Sequence, residues 1–430
     1  MSLWRIAWRY LWSRALVTAL TVIGVGLGAA LIAGVLALRR ETEKAFLKES
    51  ATFDLVVGAK GSPLQLILSS VYHLDAPTGN IEYALYEKLK SDARVRAAYP
   101  VGLGDNYRGF RLVGTTADYL GLERRDPEGQ GWRPALQLAE GRAFAQDFEA
   151  VVGSVVARQT GLRVGSAFVG AHGLAGGAGG EEHGEYPYTV VGILAPSGTA
   201  NDRAIVTTLQ SVWTVHDRQN AIRRELGGQS GEADSGPGKE PGGEAPRKPR
   251  ETTAVLLQLK ALGFGLWFAE EIARTTKAMA ASPMHEMLRL YRQVLSPVQR
   301  ALLGLAYLVV VVAGLTILTT LYQAAERRRR DIAVMRALGA HPVEIFALVL
   351  LEALFVTLLG VVGGWAAGHG AVGAAGALLQ NSTGLALSGW STDAMELLAL
   401  SVVALIGVAA GLAPAAAAYR RSPVSDLSLD

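Results

Sequence analysis

Ala301-Leu-Leu-Gly-Leu-Ala-Tyr-Leu-Val-Val-Val-Val-Ala-Gly-Leu-Thr-Ile-Leu-Thr-Thr-Leu-Tyr322 is an uncharged apolar run, and shortly after it comes Glu326-Arg-Arg-Arg-Arg-Asp-Ile-Ala-Val-Met-Arg-Ala-Leu-Gly-Ala340. About twenty apolar residues are what a helix needs to cross the hydrocarbon core of a bilayer. In the charged piece Ile332, Met335 and Leu338 recur at helical spacing, and Gly339 stands where a helix ends. Pro342 restarts the chain before a second apolar run near Phe346. Two membrane helices are therefore joined by a short basic loop that carries a helix of its own. Isolated helices below roughly twelve residues are marginal in water, so this one needs something to pack on. A stop-transfer charge cluster with a solvated turn accounts for the arginines, but not for an apolar stripe beside them.

Outward from this stretch the pattern repeats. The chain has 430 residues, half of them hydrophobic, a net charge of +3 and no cysteine. Disulfides, thiolate metal sites and thiol catalysis are excluded. Basic residues gather at the ends of apolar runs and not on one face, so nucleic acid is not an expected partner. Apolar runs place membrane helices at 15–38, 300–323, 344–368 and 394–418. Residues 1–14 read as an interfacial helix, with Trp4, Trp8 and Trp12 on one stripe beside Arg5 and Arg9. The first apolar run is too long for a signal-peptide core and continues into a charged segment, 39–51, so it is expected to be retained as a helix.

Residues 52–262 read as a soluble α+β domain. Short β-branched runs recur at Phe53–Val57, Phe110–Val113, Ala150–Val152, Tyr188–Leu194, Ala204–Thr207 and Ala254–Leu259, with helical patterns at Glu82–Lys90 and Ser154–Thr160. Within the domain, 227–250 holds almost nothing apolar and reads as a flexible surface insertion. Residues 263–299 read as a stalk, helical from Phe268 to Leu295 apart from a break at Pro283. The loop 324–343, the short loop 369–393 and the tail 419–430 complete the division. Arg5, Arg9, Arg14, Arg327 to Arg330, Arg336, Arg420 and Arg421 fall on one side of this four-helix scheme, which makes that side cytoplasmic. Arg39 and Arg40 fall on the other side, against the same rule.

Glu326 to Ala340, directly after a membrane helix, resembles the coupling segment of the MacB/FtsX family of ABC transporter permeases, the mechanotransmission type. Leu138-Ala-Glu-Gly-Arg142, Ala150-Val-Val-Gly-Ser-Val-Val-Ala157, Gly161-Leu-Arg-Val-Gly165 and Tyr188-Thr-Val-Val-Gly-Ile-Leu194 resemble its periplasmic core domain. Tyr419-Arg-Arg-Ser-Pro-Val-Ser-Asp426 resembles its C-terminal pattern. The resemblance implies an α-helical membrane protein with four transmembrane helices and a large extracytoplasmic α+β domain of the MacB periplasmic core type. It implies a homodimer in a bacterial inner membrane, with a cytoplasmic ABC ATPase subunit docked on the Arg327 to Pro342 loop and a periplasmic protein as a further partner. ATP and magnesium would sit in that ATPase, since no G-x-x-x-x-G-K-[ST] occurs here and no enzymatic activity is expected of this chain. The expected coupling residues are Arg328, Arg330, Ile332, Met335, Leu338 and Gly339, with the apolar three buried against the ATPase and Arg327 to Arg330 at the rim or facing lipid phosphates. The work implied is mechanical: export, extraction or activation of an extracytoplasmic substrate. The alternatives are an FtsX-like scaffold that controls an external hydrolase, and a component of a zinc-handling system.

Gly24 and Gly28, Gly360 and Gly364, and Gly407 and Gly411 are pairs four apart, suited to close helix packing. Glu352 lies inside the third membrane helix, a functional position by default, and its nearness to the coupling segment favours an interfacial structural role. The other three helices read as free of interior charge, leaving no polar track across the membrane. His172, Glu181, Glu182, His183 and Glu185 cluster around a Gly-rich loop and are ligand types that suit zinc, in a spacing that matches no fixed motif. The competing reading is a solvated loop, and stoichiometric zinc uptake that His172→Ala with His183→Ala abolishes decides between them. Pro63 to Asn80, with His73 and Asp75, reads as an external loop.

Overall fold

The computed structural model describes residues 3–126, 131–172, 186–227, 249–383 and 388–420. In chain order the helices are α1 (Leu3–Ser13), α2 (Ala15–Ser50), α3 (Pro63–Ser70), α4 (Tyr83–Lys90), α5 (Ser154–Thr160), α6 (Leu209–Gly227), α7 (Gly265–Thr275), α8 (Pro283–Leu290), α9 (Ser296–Arg327), α10 (Arg329–Ala337), α11 (Pro342–Thr383) and α12 (Ala394–Tyr419). The strands are β1 (Leu55–Ala59), β2 (Ile81–Glu82), β3 (Val95–Tyr107), β4 (Phe110–Thr115), β5 (Glu123–Arg125), β6 (Trp132–Pro134), β7 (Leu138–Gly141), β8 (Glu149–Val152), β9 (Ala167–Phe168), β10 (Ala171–His172), β11 (Tyr188–Leu194), β12 (Ala204–Thr208), β13 (Glu251–Thr252), β14 (Ala254–Leu259) and β15 (Ala278–Ala281). The chain divides into a helical unit, 1–43 with 292–378 and 387–430, and a sheet unit, 44–291 with 379–386.

In the helical unit the apolar spans are Ala15–Ala45, Pro283–Arg327, Pro342–Gln380 and Ala394–Tyr419, each long and apolar enough to cross a membrane. Lipid tails are as apolar as leucine, so such helices associate through close packing, which small residues permit. A Cβ at Gly364 would overlap the Gly26 carbonyl oxygen and stand 2.7 Å from Ala29 Cβ, and one at Gly360 would stand 2.6 Å from Val25 Cβ. These glycines join α11 to α2. Gly28 joins α2 to α9, since its Cβ would stand 2.7 Å from Val310 Cγ2. Gly407 and Gly411 join α12 to α11, where added Cβ atoms would stand 2.5 Å from Thr357 Cγ2 and Ala353 Cβ. Gly24 is looser, 3.9 Å from Ala313 Cβ by the same construction. The third apolar helix does not end at Gly368 as the sequence reading has it. It runs on to Thr383, and Gly373 is close-packed against Gly389 of the returning chain. Glycine here serves packing and does not stop the helix.

The sheet unit is built on one mixed sheet in the order β15-β1-β14-β3-β4-β12-β8-β11-β7, with β10 added on β3 and β9 on β11. The pairs β4–β12 and β8–β11 are parallel and the rest of that path is antiparallel. β14 is buried along its whole length, the expected reading for a central strand covered on both faces. The long β3 pairs β14 through Val101 and then β4 from Gly102 to Tyr107, so one strand ties the two halves together. One face carries a core of Leu66, Ile67, Tyr99, Val113, Val206 and Leu256. On the other face Tyr86, Leu89, Phe268 and Ile272 of α4 and α7 cover one half, and Val155 and Val156 of α5 cover the other. The stalk expected from 263 begins later than the sequence reading has it. α7 packs on the sheet and β15 is its edge strand, hydrogen-bonded to β1.

The stretch Pro63 to Asn80 is folded and not a plain loop. Ser62 Oγ accepts from Gln65 N and caps α3, whose Leu66 and Ile67 are buried. The chain beyond it is pinned by donors to its carbonyls. Gln65 Nε2 donates to Ala76 O at 3.2 Å, and Arg111 Nη2 donates to Asp75 O at 2.6 Å. His73 lies at φ 56°, in the left-handed region. Burial, with the Arg111 charge as second cause, holds its ring down to about 4. In the unfolded chain the ring takes up a proton near 6.5. The neutral ring therefore contributes stability above pH 6.5, and that contribution is lost as pH falls from 6.5 toward 4. Thermal unfolding of the purified chain across this window should show a steeper fall for wild type than for His73→Asn, which keeps a side chain tolerant of this φ. Parallel profiles would contradict the assignment.

Candidate functional site

The basic loop is built from the end of α9. Arg328 closes that helix, its N–H donating to Ala324 O at 3.1 Å, and its φ of −99° and ψ of 16° set off α10. Its side chain turns inward. Nη1 donates to Glu352 Oε1 at 2.6 Å, and the guanidinium lies 3.8 Å from the centre of the Tyr10 ring. One residue thus holds α1, the α9–α10 corner and α11 together. Glu352 is 5% exposed, and a carboxylate so buried persists as a charge only when paired. Arg328 was expected at an interface rim or facing lipid phosphates and is instead an internal tie. Arg330 is exposed.

The apolar stripe of α10 splits in two. Ile332 is buried with Ile345, Val349, Ala415 and Ala418, and Met335 is half-buried on the same side. These two were expected in a docking face and are taken up by the chain's own core. Leu338 is 84% exposed, and Val334 and Val343 are exposed with it. Gly339, at φ 103°, ends the helix in a Schellman turn, with Ala340 N donating to Met335 O at 3.0 Å and Gly339 N to Arg336 O at 3.1 Å. α11 then opens on a capping interaction, His341 N donating to Glu344 Oε2 at 2.9 Å, with Pro342 at its first position. The loop is therefore fixed at both ends, with an apolar tip left uncovered.

A second ion cluster lies further along α11. His369 Nε2 and Glu396 Oε1 are 2.5 Å apart, both side chains are fully buried, and Nδ1 of the ring meets Gly389 O. Arg40 reaches Glu396 Oε2 and Asp393 Oδ1, each at 3.3 Å. Glu41 accepts from Ser388 N at 2.8 Å and from Ser391 Oγ at 2.5 Å. From Glu352 to His369 is about 25 Å along α11 at the usual helical rise, close to the thickness of a bilayer core. The reading that the fourth helix holds no interior charge fails at Glu396. Asp393 Oδ1 accepts from Glu396 N at 2.9 Å, so the pair has the form of a helix cap, and a glutamate three residues after a cap residue is easily put down to capping. Arg39 and Arg40, which break the charge rule, were the available signal.

His172 belongs to β10, opposite Asp105 of β3. Glu181, Glu182, His183 and Glu185 lie outside the described residues, as does most of 227–250. Among the described residues no three His, Asp or Glu side chains are placed to hold a metal ion.

Residues 303–423 match the family of FtsX-like permease C-terminal domains, and residues 18–234, just over half of the chain, match the MacB-like periplasmic core domain. An uncharacterized ABC transporter permease of Methanocaldococcus jannaschii is 25% identical over 164 residues, 38% of this chain and 37% of that protein. The macrolide export ATP-binding/permease protein MacB of Bordetella avium is 31% identical over 132 residues, 29% of this chain and 18% of that protein. The chain thus matches well under half the length of either relative. Among solved structures, the periplasmic region of MacB from Actinobacillus actinomycetemcomitans aligns at a TM-score of 0.31 and 8% identity, covering 58% of this chain and 96% of that one. The extracellular domain of the transporter YknZ from Gram-positive bacteria aligns at 0.27 and 10%, covering 53% and 97%. With both family models matched, one of them over half of the chain, the chain belongs to the MacB/FtsX family of ABC transporter permeases.

Proposed function

We propose that this permease is driven by a separate cytoplasmic ATPase docked on the tip of α10, and that it passes the ATPase's motion to its extracytoplasmic domain. The observation that carries this reading is the uncovered Leu338, with Val334 and Val343, on a helix anchored at its start by Arg328 and closed at its end by Gly339. Rigid anchoring is what a lever needs, and an exposed apolar tip is what an interface core needs. The positive-inside rule favours the basic loop and both chain ends on the cytoplasmic side of a bacterial inner membrane. The buried ion clusters lie on either side of the middle of α11, and the seams between them set glycine and alanine against Val25, Val310 and Thr357, tight packing that fits movement of packed helices better than passage of a polar solute. A homodimer and a periplasmic partner belong to the same proposal, by analogy with the family. A zinc site at His172, Glu182, His183 and Glu185 is a proposal from residue types alone.

The absence of native cysteine makes a direct test clean. Leu138→Cys, on an exposed position of β7, should react with a membrane-impermeant maleimide on intact cells. Leu338→Cys should react only in opened membranes, and co-expressed ATPase should protect it. Labelling of Leu338→Cys on intact cells, or full labelling with the ATPase bound, would overturn the proposal.

A further inference from the structure

One end of the sheet holds a buried arginine that the Asp75 carboxylate favours electrostatically but does not pair with. Arg111 of β4 is 6% exposed, makes no ion pair among the described residues, and has as its side-chain hydrogen bond the one to Asp75 O at 2.6 Å. Asn106 of β3 and Ala204 of β12 are its cross-strand partners, so Arg203 enters at the same level. The chain after α3 closes over this end. Together they enclose a cavity of about 190 Å³ lined by Tyr72, His73, Leu74, Asn106, Arg111 and Arg203. Both ring nitrogens of His73 are shut off from solvent and lack a partner at hydrogen-bond geometry, although the Ser69 backbone is near. The nearby Asp75 carboxylate is turned to its own chain, accepting from Ala76 N at 2.6 Å.

Burying a guanidinium costs free energy that a single carbonyl bond offsets poorly, and the usual compensation is an anion. A guanidinium presents its N–H groups as a planar fork that fits the two oxygens of a carboxylate or phosphate. The cavity has room for about six waters at roughly 30 Å³ each, enough for a small ion or the charged head of a larger molecule. We propose that this end of the sheet is a binding site for a small oxyanion, carboxylate or phosphate, held by the Arg111 fork with Arg203 and His73 at its sides. His73, whose φ of 56° lies in the left-handed region, lines the same cavity, and strain of this kind is often kept where a ligand is held. Permease activity as proposed above does not depend on this site.

The test is calorimetric titration of the full-length chain in detergent, at neutral pH and fixed ionic strength in chloride. Inorganic phosphate, acetate and succinate are titrated separately. Saturable binding of one anion per chain is the expected result. Phosphate alone identifies a phosphate site, the organic acids alone a carboxylate site, and both together a site that reads only the shared charge and geometry. Arg111→Gln should weaken binding by about tenfold or more, the worth of a charge-assisted hydrogen bond. Should that variant not fold, Arg203→Gln, which is half-buried, should weaken binding severalfold. No heat from any oxyanion beyond the chloride control overturns the proposal, as does wild-type affinity in a folded Arg111→Gln or, where that variant is lost, in Arg203→Gln.

Discussion

Arg328→Leu alone and Glu352→Leu alone are each expected to cost the helical unit about 3–5 kcal/mol, because each leaves the other charge buried without its partner. The pair is 2.6 Å apart and sits, largely buried, between α1, the α9–α10 corner and α11. The double variant should recover most of the loss, since two apolar residues of similar volume leave no charge to solvate. Tyr10 would then lose its cation but keep its packing. Unfolding of the purified chain in mixed micelles measures all four corners of the cycle. Single variants that cost less than about 1 kcal/mol, or losses that simply add, would show that the ion pair does not hold the corner. This result also sets how coupling mutants are read. An Arg328 variant that loses its ATPase has lost the lever's root, and says nothing about the docking tip.

Gly364→Leu is expected to be nearly as damaging. Its Cβ alone would overlap the Gly26 carbonyl oxygen, a backbone atom in the middle of α2 that cannot move without the helix. Overpacking of a tight seam costs typically 1–3 kcal/mol, and a backbone clash lies at the upper end, about 3 kcal/mol. Gly363→Leu is the control, because nothing lies within 4 Å of a Cβ at the neighbouring glycine. Both variants add the same side chain to the same helix. The melting temperature in detergent should fall by several degrees for Gly364→Leu and little for Gly363→Leu. Equal melting of the two would show that the α2–α11 seam is not close-packed.

The membrane helices were legible because apolar length is decisive in a bilayer and needs no tertiary information. The end of α10 and the start of α11 were legible too, since Gly339 and Pro342 act locally as stop and start. Which face of α10 is free was not legible. Ile332, Met335 and Leu338 share one helical stripe in sequence, yet the start of α11 and the end of α12 cover the first two, and those contacts join residues far apart in the chain. The same limit hid Glu396, whose partners come from α2 and α11. β3 was missed because Pro100, Gly102 and Gly104 look like turn residues, though β14 and β4 flank them as strand. β15 was read as stalk because Ala278-Met-Ala-Ala281 has no β-branched residue, and only its pairing with β1 makes it a strand. His73 and Asp75 stood out as unusual in an apolar stretch. Their companion Arg111 did not, being one charge inside a run, Phe110–Val113, read only as a short strand.

The central claim is that the exposed tip of α10 carries coupling, and ATP turnover of the reconstituted pair tests it most directly. Leu338→Asp puts a charge at a residue 84% exposed, so the permease should fold and insert as wild type does. Loss of an apolar anchor at an interface core costs about 2 kcal/mol or more, about thirtyfold in affinity. With the ATPase that co-purifies with the wild-type chain, Leu338→Asp should bind at least about thirtyfold more weakly and should no longer change its ATP turnover. Wild-type association and turnover in a correctly folded Leu338→Asp would contradict it.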